Sequence, residues 1–214
     1  MREFDALRSY PQSEKKVGTR TIYNRIIASY RGREFFDGGR NFGYGGLKYD
    51  GRWQPVAKDM IGDYGLSSSS PVLQLNCEKG FLLHELNKLG VTNVVGVEPS
   101  KYARRHAMDS VMRHYVPKMG FETGQFDLVI AIGVVYTLSL PDAINCLREI
   151  ERIGHNGFIT LASYETEQDL SLFRQWSLLG TTILKKQEWL EVMAHAGYTG
   201  DYWFVNAESL KIRA

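Results

Sequence analysis

Long apolar runs are missing from this chain of 214 residues, and that absence excludes a bilayer-spanning helix, which needs about 20 consecutive apolar residues. The first residues, Met1-Arg2-Glu3-Phe4-Asp5, have no apolar core of the kind a secretory leader carries, so the expectation is a cytoplasmic protein. Cysteine is scarce as well. Cys77 and Cys146 make neither a metal-binding spacing nor a disulfide framework, and Cys77 reads as a small buried filler rather than a nucleophile. Five histidines fall into no metal-ligand pattern, so no metal is expected. A surplus of one charge is also absent, since 26 basic against 24 acidic residues leave a formal net charge of +2. Such a balance gives no basic field for nucleic acid. Lys101, Arg104, Arg105 and Arg113 cluster, yet they read as the solvated face of a helix. The length fits one large domain, or one domain with a small appendage, and is enough to bury a sizeable core.

What is present is concentrated between Pro71 and Pro99. Val72, Leu73 and Leu75 form a short apolar run bounded by turn residues, which predicts a buried strand. Leu82, Leu83, Leu86 and Leu89 then recur at helical spacing until Gly90 ends the pattern. A second apolar run, Val94 to Val97, stops at Glu98. Strand, crossover helix and strand place the first turn at the carboxyl end of a parallel strand, where open α/β sheets bind ligands. Glu98 follows Gly80 by about the interval at which such folds hold a ribose. A dinucleotide is disfavoured, because a turn that approaches a pyrophosphate would not carry Glu78.

Ahead of this unit, a polar segment to about Lys16 precedes a helix through Ile22, Ile26 and Ile27. From Phe35 to Trp53, glycines and aromatics alternate with Asp and Arg, a composition that predicts a loop because each interior glycine costs a helix about 1 kcal/mol. The loop reads either as structural packing over the sheet or as a lid whose Asp37, Arg40, Tyr44, Tyr49, Asp50 and Arg52 build an acceptor pocket. A short amphipathic helix over Pro55 to Tyr64 completes residues 1–66 as an N-terminal cap, and Ser67 to Pro71 reads as the linker into an α/β domain over 67–214. Within that domain Ser100 is an N-cap for a helix with Ala103, Ala107 and Val111 on one face. Phe126 to Gly133 reads as a strand covered on both faces, followed by Val134, Val135 and Tyr136. Pro141 and Asp142 open a helix with Ile144, Leu147, Ile150 and Ile153 on its apolar side. Phe158 to Ser163 makes a strand whose end offers Ser163 and Tyr164 as further candidates for the acceptor pocket, Lys186 to Ala196 a helix, and Tyr202 to Val205 a last strand. Trp176 to Leu184 has no distinct pattern.

Val72 to Glu98 resembles the cofactor half of class I S-adenosylmethionine-dependent methyltransferases, which carry an acid and alternating glycines where this chain has Gln74, Asn76, Glu78 and Gly80. The lid series, with its Gly43-Tyr44-Gly45-Gly46 and Tyr49-Asp50-Gly51-Arg52-Trp53, is similar to a bacterial subgroup acting on small metabolites or sugars. The resemblance implies a Rossmann-like, seven-stranded, mostly parallel sheet with helices on both faces, its last strand antiparallel, plus the N-terminal helix and loop cap. It implies S-adenosylmethionine as cofactor, with Gln74, Asn76, Glu78, Gly80, Glu98, Pro99, Ile132 and Gly133 binding it. Tyr136 stands where that subgroup tends to have a histidine, as the catalytic candidate. The stretch between Tyr115 and Phe126 is shorter than in relatives and offers no acid for the adenine amino group. The activity implied is methyl transfer to an oxygen or nitrogen of a small-molecule acceptor, with neither nucleic acid nor membrane as partner and a homodimer left open. The other reading is a catalytically inactive pseudo-methyltransferase serving as a binding or regulatory subunit.

Overall fold

The computed structural model describes residues 1–18, 20–112, 115–116 and 120–213. The first stretch of chain contains β1 (Arg2–Glu3), β2 (Lys15–Lys16), α1 (Ile22–Ser29), α2 (Arg33–Asp37) and α3 (Gln54–Tyr64). Thr21 caps α1 in a capping box with Asn24, and Pro55 sits in the first turn of α3, where a missing N–H costs nothing. The predicted loop over Phe35 to Trp53 therefore begins inside α2, whose Phe35 and Phe36 are buried.

The α/β portion follows as β3 (Val72–Leu75), α4 (Phe81–Lys88), β4 (Val94–Val97), α5 (Lys101–Arg105), α6 (Asp109–Met112), β5 (Tyr115–Val116), β6 (Leu128–Ala131), a 3-10 turn (Val135–Thr137), α7 (Leu140–Ile153), β7 (Gly157–Ala162), α8 (Glu167–Trp176), α9 (Lys186–Ala196), β8 (Asp201–Val205) and β9 (Ile212–Arg213). The helix expected after Ser100 breaks into two short pieces, because the Met108 N–H turns away to the carbonyl of Lys79 at 3.0 Å. The third strand, hard to place in the sequence, is the two-residue β5 beside β4, with Gly96 opposite Tyr115. Arg113 of the basic cluster, and Pro117 to Met119, lie outside the described residues. Helix α8 was not expected. Thr166 caps it by accepting from the Asp169 N–H at 3.1 Å, and only Leu170 and Phe173 of its ten residues are buried.

The strands are ordered β1-β8-β7-β6-β3-β4-β5, and every neighbouring pair is parallel. Six of these strands come from residues 72–205; the seventh is the two-residue N-terminal β1 at the edge. The antiparallel last strand is therefore not observed. Between β7 and β8 the chain makes α8 and α9, a crossover long enough to return it to the same end of the sheet, so β8 enters parallel, with Phe158 opposite Asp201 and Ala162 opposite Val205. The final strand, β9, pairs instead with β2 in a separate ribbon.

The core lies on both faces of the sheet. Leu128 and Ile130 point to one side, where Leu82, Leu83 and Leu86 of α4 meet Val56, Ala57 and Met60 of α3 and Ala6. Val129 and Ala131 point to the other, against Leu147 and Ile150 of α7 and Trp189 and Met193 of α9. Alternation along one strand thus feeds two layers, the pattern of a sheet covered on both faces. A smaller cluster joins Ala28, Phe35 and Phe36 of the cap to Ala103 of α5 and Leu178 beyond α8. The cap thereby bridges loops on the two halves of the sheet.

Candidate active site

The chain leaves β3 towards β4 on one side, while β6 lies on the other, so the topological switch point falls at the carboxyl ends of β3 and β6. The turn after β3 has an alternating backbone: Asn76 at φ 46°, Glu78 at φ 57° and Gly80 at φ 77° are all left-handed. Asparagine tolerates this region and glycine favours it, but a glutamate there carries strain. The turn keeps the conformation that alternating glycines would provide, without two of the glycines.

Glu98 holds that shape. Its carboxylate is fully buried and accepts the Glu78 N–H at 2.8 Å and the Ser100 N–H at 2.7 Å, one on each oxygen. The Cys77 N–H reaches the carbonyl of Val97 at 3.2 Å, so the end of β4 clamps the turn after β3. Burial pushes the Glu98 carboxyl upward in pKa, and the Ser100 N–H works against that. Each oxygen retains a second acceptor direction beyond its backbone partner.

Above the turn sits the cap. Lys79, nearly buried, donates to both oxygens of Asp37 at 2.7 and 2.8 Å and to the carbonyl of Leu47 at 2.7 Å. The Tyr102 hydroxyl donates to Asp37 at 2.7 Å. Burial pushes the Asp37 carboxyl up, but the hydrogen bonds from Lys79 and Tyr102 outweigh it and leave the pKa below its usual value. Asp37 is thus the rivet between cap and turn. Phe35 and Tyr44 pack edge to face at 5.2 Å, and the Tyr44 hydroxyl donates to Glu78.

Arg31, which the sequence offered no reason to select, completes the group. It is a non-glycine residue at φ 47°, held where the Ser100 hydroxyl donates to its carbonyl at 2.6 Å. Its charge acts on Tyr44, Glu78, Glu98 and Tyr136 together. Burial pushes the Glu78 carboxyl up to about 7, with the Tyr44 hydrogen bond and Arg31 opposing. Burial, reinforced by Glu78, pushes Tyr136 up to about 12 and Tyr44 well above its ordinary value. Tyr136 is therefore a hydrogen-bond donor rather than a base at neutral pH. Its ring meets Phe173 edge to face at 5.9 Å, and its carbonyl takes the N–H groups of Thr181 and Thr182.

The remaining candidates divide. Gly133, at φ 67°, donates its N–H to Thr160 Oγ1 at 2.8 Å beyond the end of β6, and Ile132 packs on the α4 side of the sheet. Pro99 lies in the segment between Glu98 and Ser100 that the buried carboxylate spans. Arg40 holds the carbonyl of Tyr44 at 2.7 Å. The other lid residues point elsewhere: Tyr49 bonds Glu85 on α4 and receives Lys88 at 3.1 Å, while Asp50 and Arg52 pair with each other. Tyr164 packs beside the Leu170 and Phe173 cluster. None of these four contacts the turn among the described residues.

Two buried polar atoms near the turn are left over. Gln74 Oε1 and Arg31 Nε are buried with no hydrogen-bond partner among the described residues. One offers an acceptor for an ammonium, the other a donor for a carboxylate. No group of three or more metal-ligating side chains occurs among the described residues, and no helix there is long and apolar enough to cross a membrane.

A parallel sheet of this order, with a clamped turn at its switch point, defines a Rossmann-like nucleotide-cofactor fold. Residues 73–160 match the family model described as a methyltransferase domain. Solved structures share the fold at low identity. The YcgJ protein of Bacillus subtilis is 16% identical with a TM-score of 0.54, over 65% of this chain and 66% of its own. A candidate methyltransferase from Bacillus halodurans C-125 is 16% identical with a TM-score of 0.52, over 66% of this chain and 68% of its own. The [4+2]-cyclase SpnF is 15% identical with a TM-score of 0.57, over 86% of this chain and 75% of its own. No curated protein matches the chain significantly.

Proposed function

We propose that the enzyme methylates an oxygen or nitrogen of a small-molecule acceptor held beneath the cap. The observation that carries this reading is the cap itself, riveted by Asp37 to Lys79 and by Tyr44 to Glu78 over the switch point, which roofs the site against a large acceptor. S-adenosylmethionine, when bound, supplies a methyl group already activated on a sulfonium. Arg31 would hold its carboxylate and Gln74 its ammonium, with the Asn76 to Gly80 turn beneath, Glu98 and Pro99 at the ribose, and Ile132 and Gly133 along the adenine. The protein's main contribution is then alignment, which can lower a barrier by roughly 7 to 11 kcal/mol.

A neutral hydroxyl or ammonium acceptor must also lose a proton. Glu78, with its carboxyl near neutrality, is poised to take it, a step that contributes about 10²- to 10⁴-fold in such sites. Tyr136 and Tyr44 would orient the acceptor by hydrogen bonds. The test is to incubate the full chain with S-adenosylmethionine bearing an isotopically labelled methyl group and a panel of small alcohols, sugars and amines, and to follow label by mass spectrometry. Label in a low-molecular-weight product supports the reading. Label only in protein or nucleic acid overturns the acceptor class, and no cofactor binding at about 1 mM by calorimetry would leave the pseudo-enzyme reading in its place.

A further inference from the structure

Away from the switch point, the start of α1 and the outer side of α8 border an open pocket of about 300 Å³ lined by Arg20, Arg25, Arg174, Glu167, Ser171 and Gln175. Three guanidiniums against one carboxylate leave its wall with a net charge of two. Arg25 spends its donors on neutral groups, the carbonyls of Arg174 at 2.6 Å and Ser177 at 2.9 Å, so its charge is not compensated. Arg20 is half-buried, and neither its side chain nor that of Arg174 makes a hydrogen bond or ion pair among the described residues. Burial, with the charges of Arg40 and Arg25, pushes the Arg20 guanidinium down to about 10. Cations gathered in this way without an anion raise one another's energy, and a bound anion would relieve them.

We propose that this pocket binds the phosphate group of a small phosphorylated molecule. A phosphate monoester carries about −1.5 to −2 charges at pH 7, which matches the wall. Guanidinium forks suit its oxygens. The volume lies at the small end of ligand sites, with room for a short organic remainder beside the phosphate. The site also has a route to the cap: Arg40, whose charge reaches Arg20, holds the carbonyl of Tyr44, and Tyr44 touches Glu78. Binding here does not depend on the identity of the methyl acceptor.

The experiment is calorimetric titration of glycerol 3-phosphate, with glycerol as the uncharged control, into the full chain at low ionic strength. Saturable one-to-one binding of glycerol 3-phosphate and none of glycerol is expected. Arg20→Gln and Arg174→Gln should each weaken it at least tenfold, with the thermal transition of the unliganded protein not lowered, because neither side chain is hydrogen-bonded and removing one cation relieves the others. Lys58→Gln, on the exposed side of α3, should leave it intact. Absence of saturable binding, or an equal loss in Lys58→Gln, overturns the proposal, and binding of S-adenosylmethionine by the same variants reads the methyltransferase site separately.

Discussion

Glu78 has two roles that pull against each other. Its left-handed backbone keeps the turn in shape, while its side chain sits in a setting that disfavours the charged form. The folded protein holds the Glu78 proton up to about pH 7, whereas the unfolded chain releases it near 4.5. Stability from this residue is therefore greatest below about pH 4.5, falls as pH rises to about 7, and levels off above. Because Glu78 is half-buried and open to solvent screening, the loss is smaller than the full shift would give. Urea denaturation across this range should show a steeper decline in wild type than in Glu78→Gln, which keeps only the smaller decline from the other buried carboxyl, Glu98. The same variant bears on chemistry: kcat/KM in wild type should rise with pH through about 7, and Glu78→Gln should lose that inflection together with at least 10²-fold in kcat. For Arg31, substitution by glutamine should weaken S-adenosylmethionine binding by about tenfold or more, the loss expected for one charge-assisted hydrogen bond, read by calorimetry. Unchanged affinity would remove Arg31 from the cofactor site.

At the scale of elements, the cap is fastened by few groups, and each can be released separately. Asp37→Ala leaves buried Lys79 with the Leu47 carbonyl but without its carboxylate, which should cost on the order of 3 kcal/mol in denaturant titrations. Gly43 offers a second handle, since a Cβ there would lie 2.0 Å from the carbonyl oxygen of Phe35. Gly43→Ala should accelerate hydrogen exchange over residues 35–47 while β3 and α4 stay protected; uniform protection would mean that the cap does not move apart from the sheet. These elements differ in how readily they are read from sequence. α4, α7 and α9 announce themselves because apolar spacing and terminating glycines are local signals. α8 is not announced, since Leu170 and Phe173 are too few to set a period. The direction of β8 depends on the length of the crossover before it, and the place of Arg31 depends on a contact with Ser100, sixty-nine residues along the chain. The pattern from Val72 to Glu98 pointed to the turn after β3, but not to Glu98 clamping it from within.

For the whole molecule, the division at residue 66 is our proposal for where cap and α/β domain meet in sequence. They share a core: Ala6, Val56, Ala57 and Met60 pack with Val72, Leu82 and Leu83, and β1 extends the sheet. Asp201, in β8, accepts Arg2 at 2.5 Å and the Tyr64 hydroxyl at 3.0 Å, joining both ends of that N-terminal stretch to the last strand of the sheet. We expect thermal unfolding followed by far-ultraviolet dichroism and by tryptophan fluorescence to give coincident transitions, and Asp201→Ala to lower both by several degrees. Two separated transitions would instead make residues 1–66 an independently melting cap.

The pair of fastenings over the turn has a temporal consequence. Asp37 to Lys79 and Tyr44 to Glu78 both end on the turn that we propose lies beneath the cofactor, so cofactor entry and release would wait until both let go. Association would then be gated, slower than the 10⁵ to 10⁷ M⁻¹s⁻¹ of ordinary docking, and spent cofactor would leave on the clock of the cap, making the first turnover faster than those that follow.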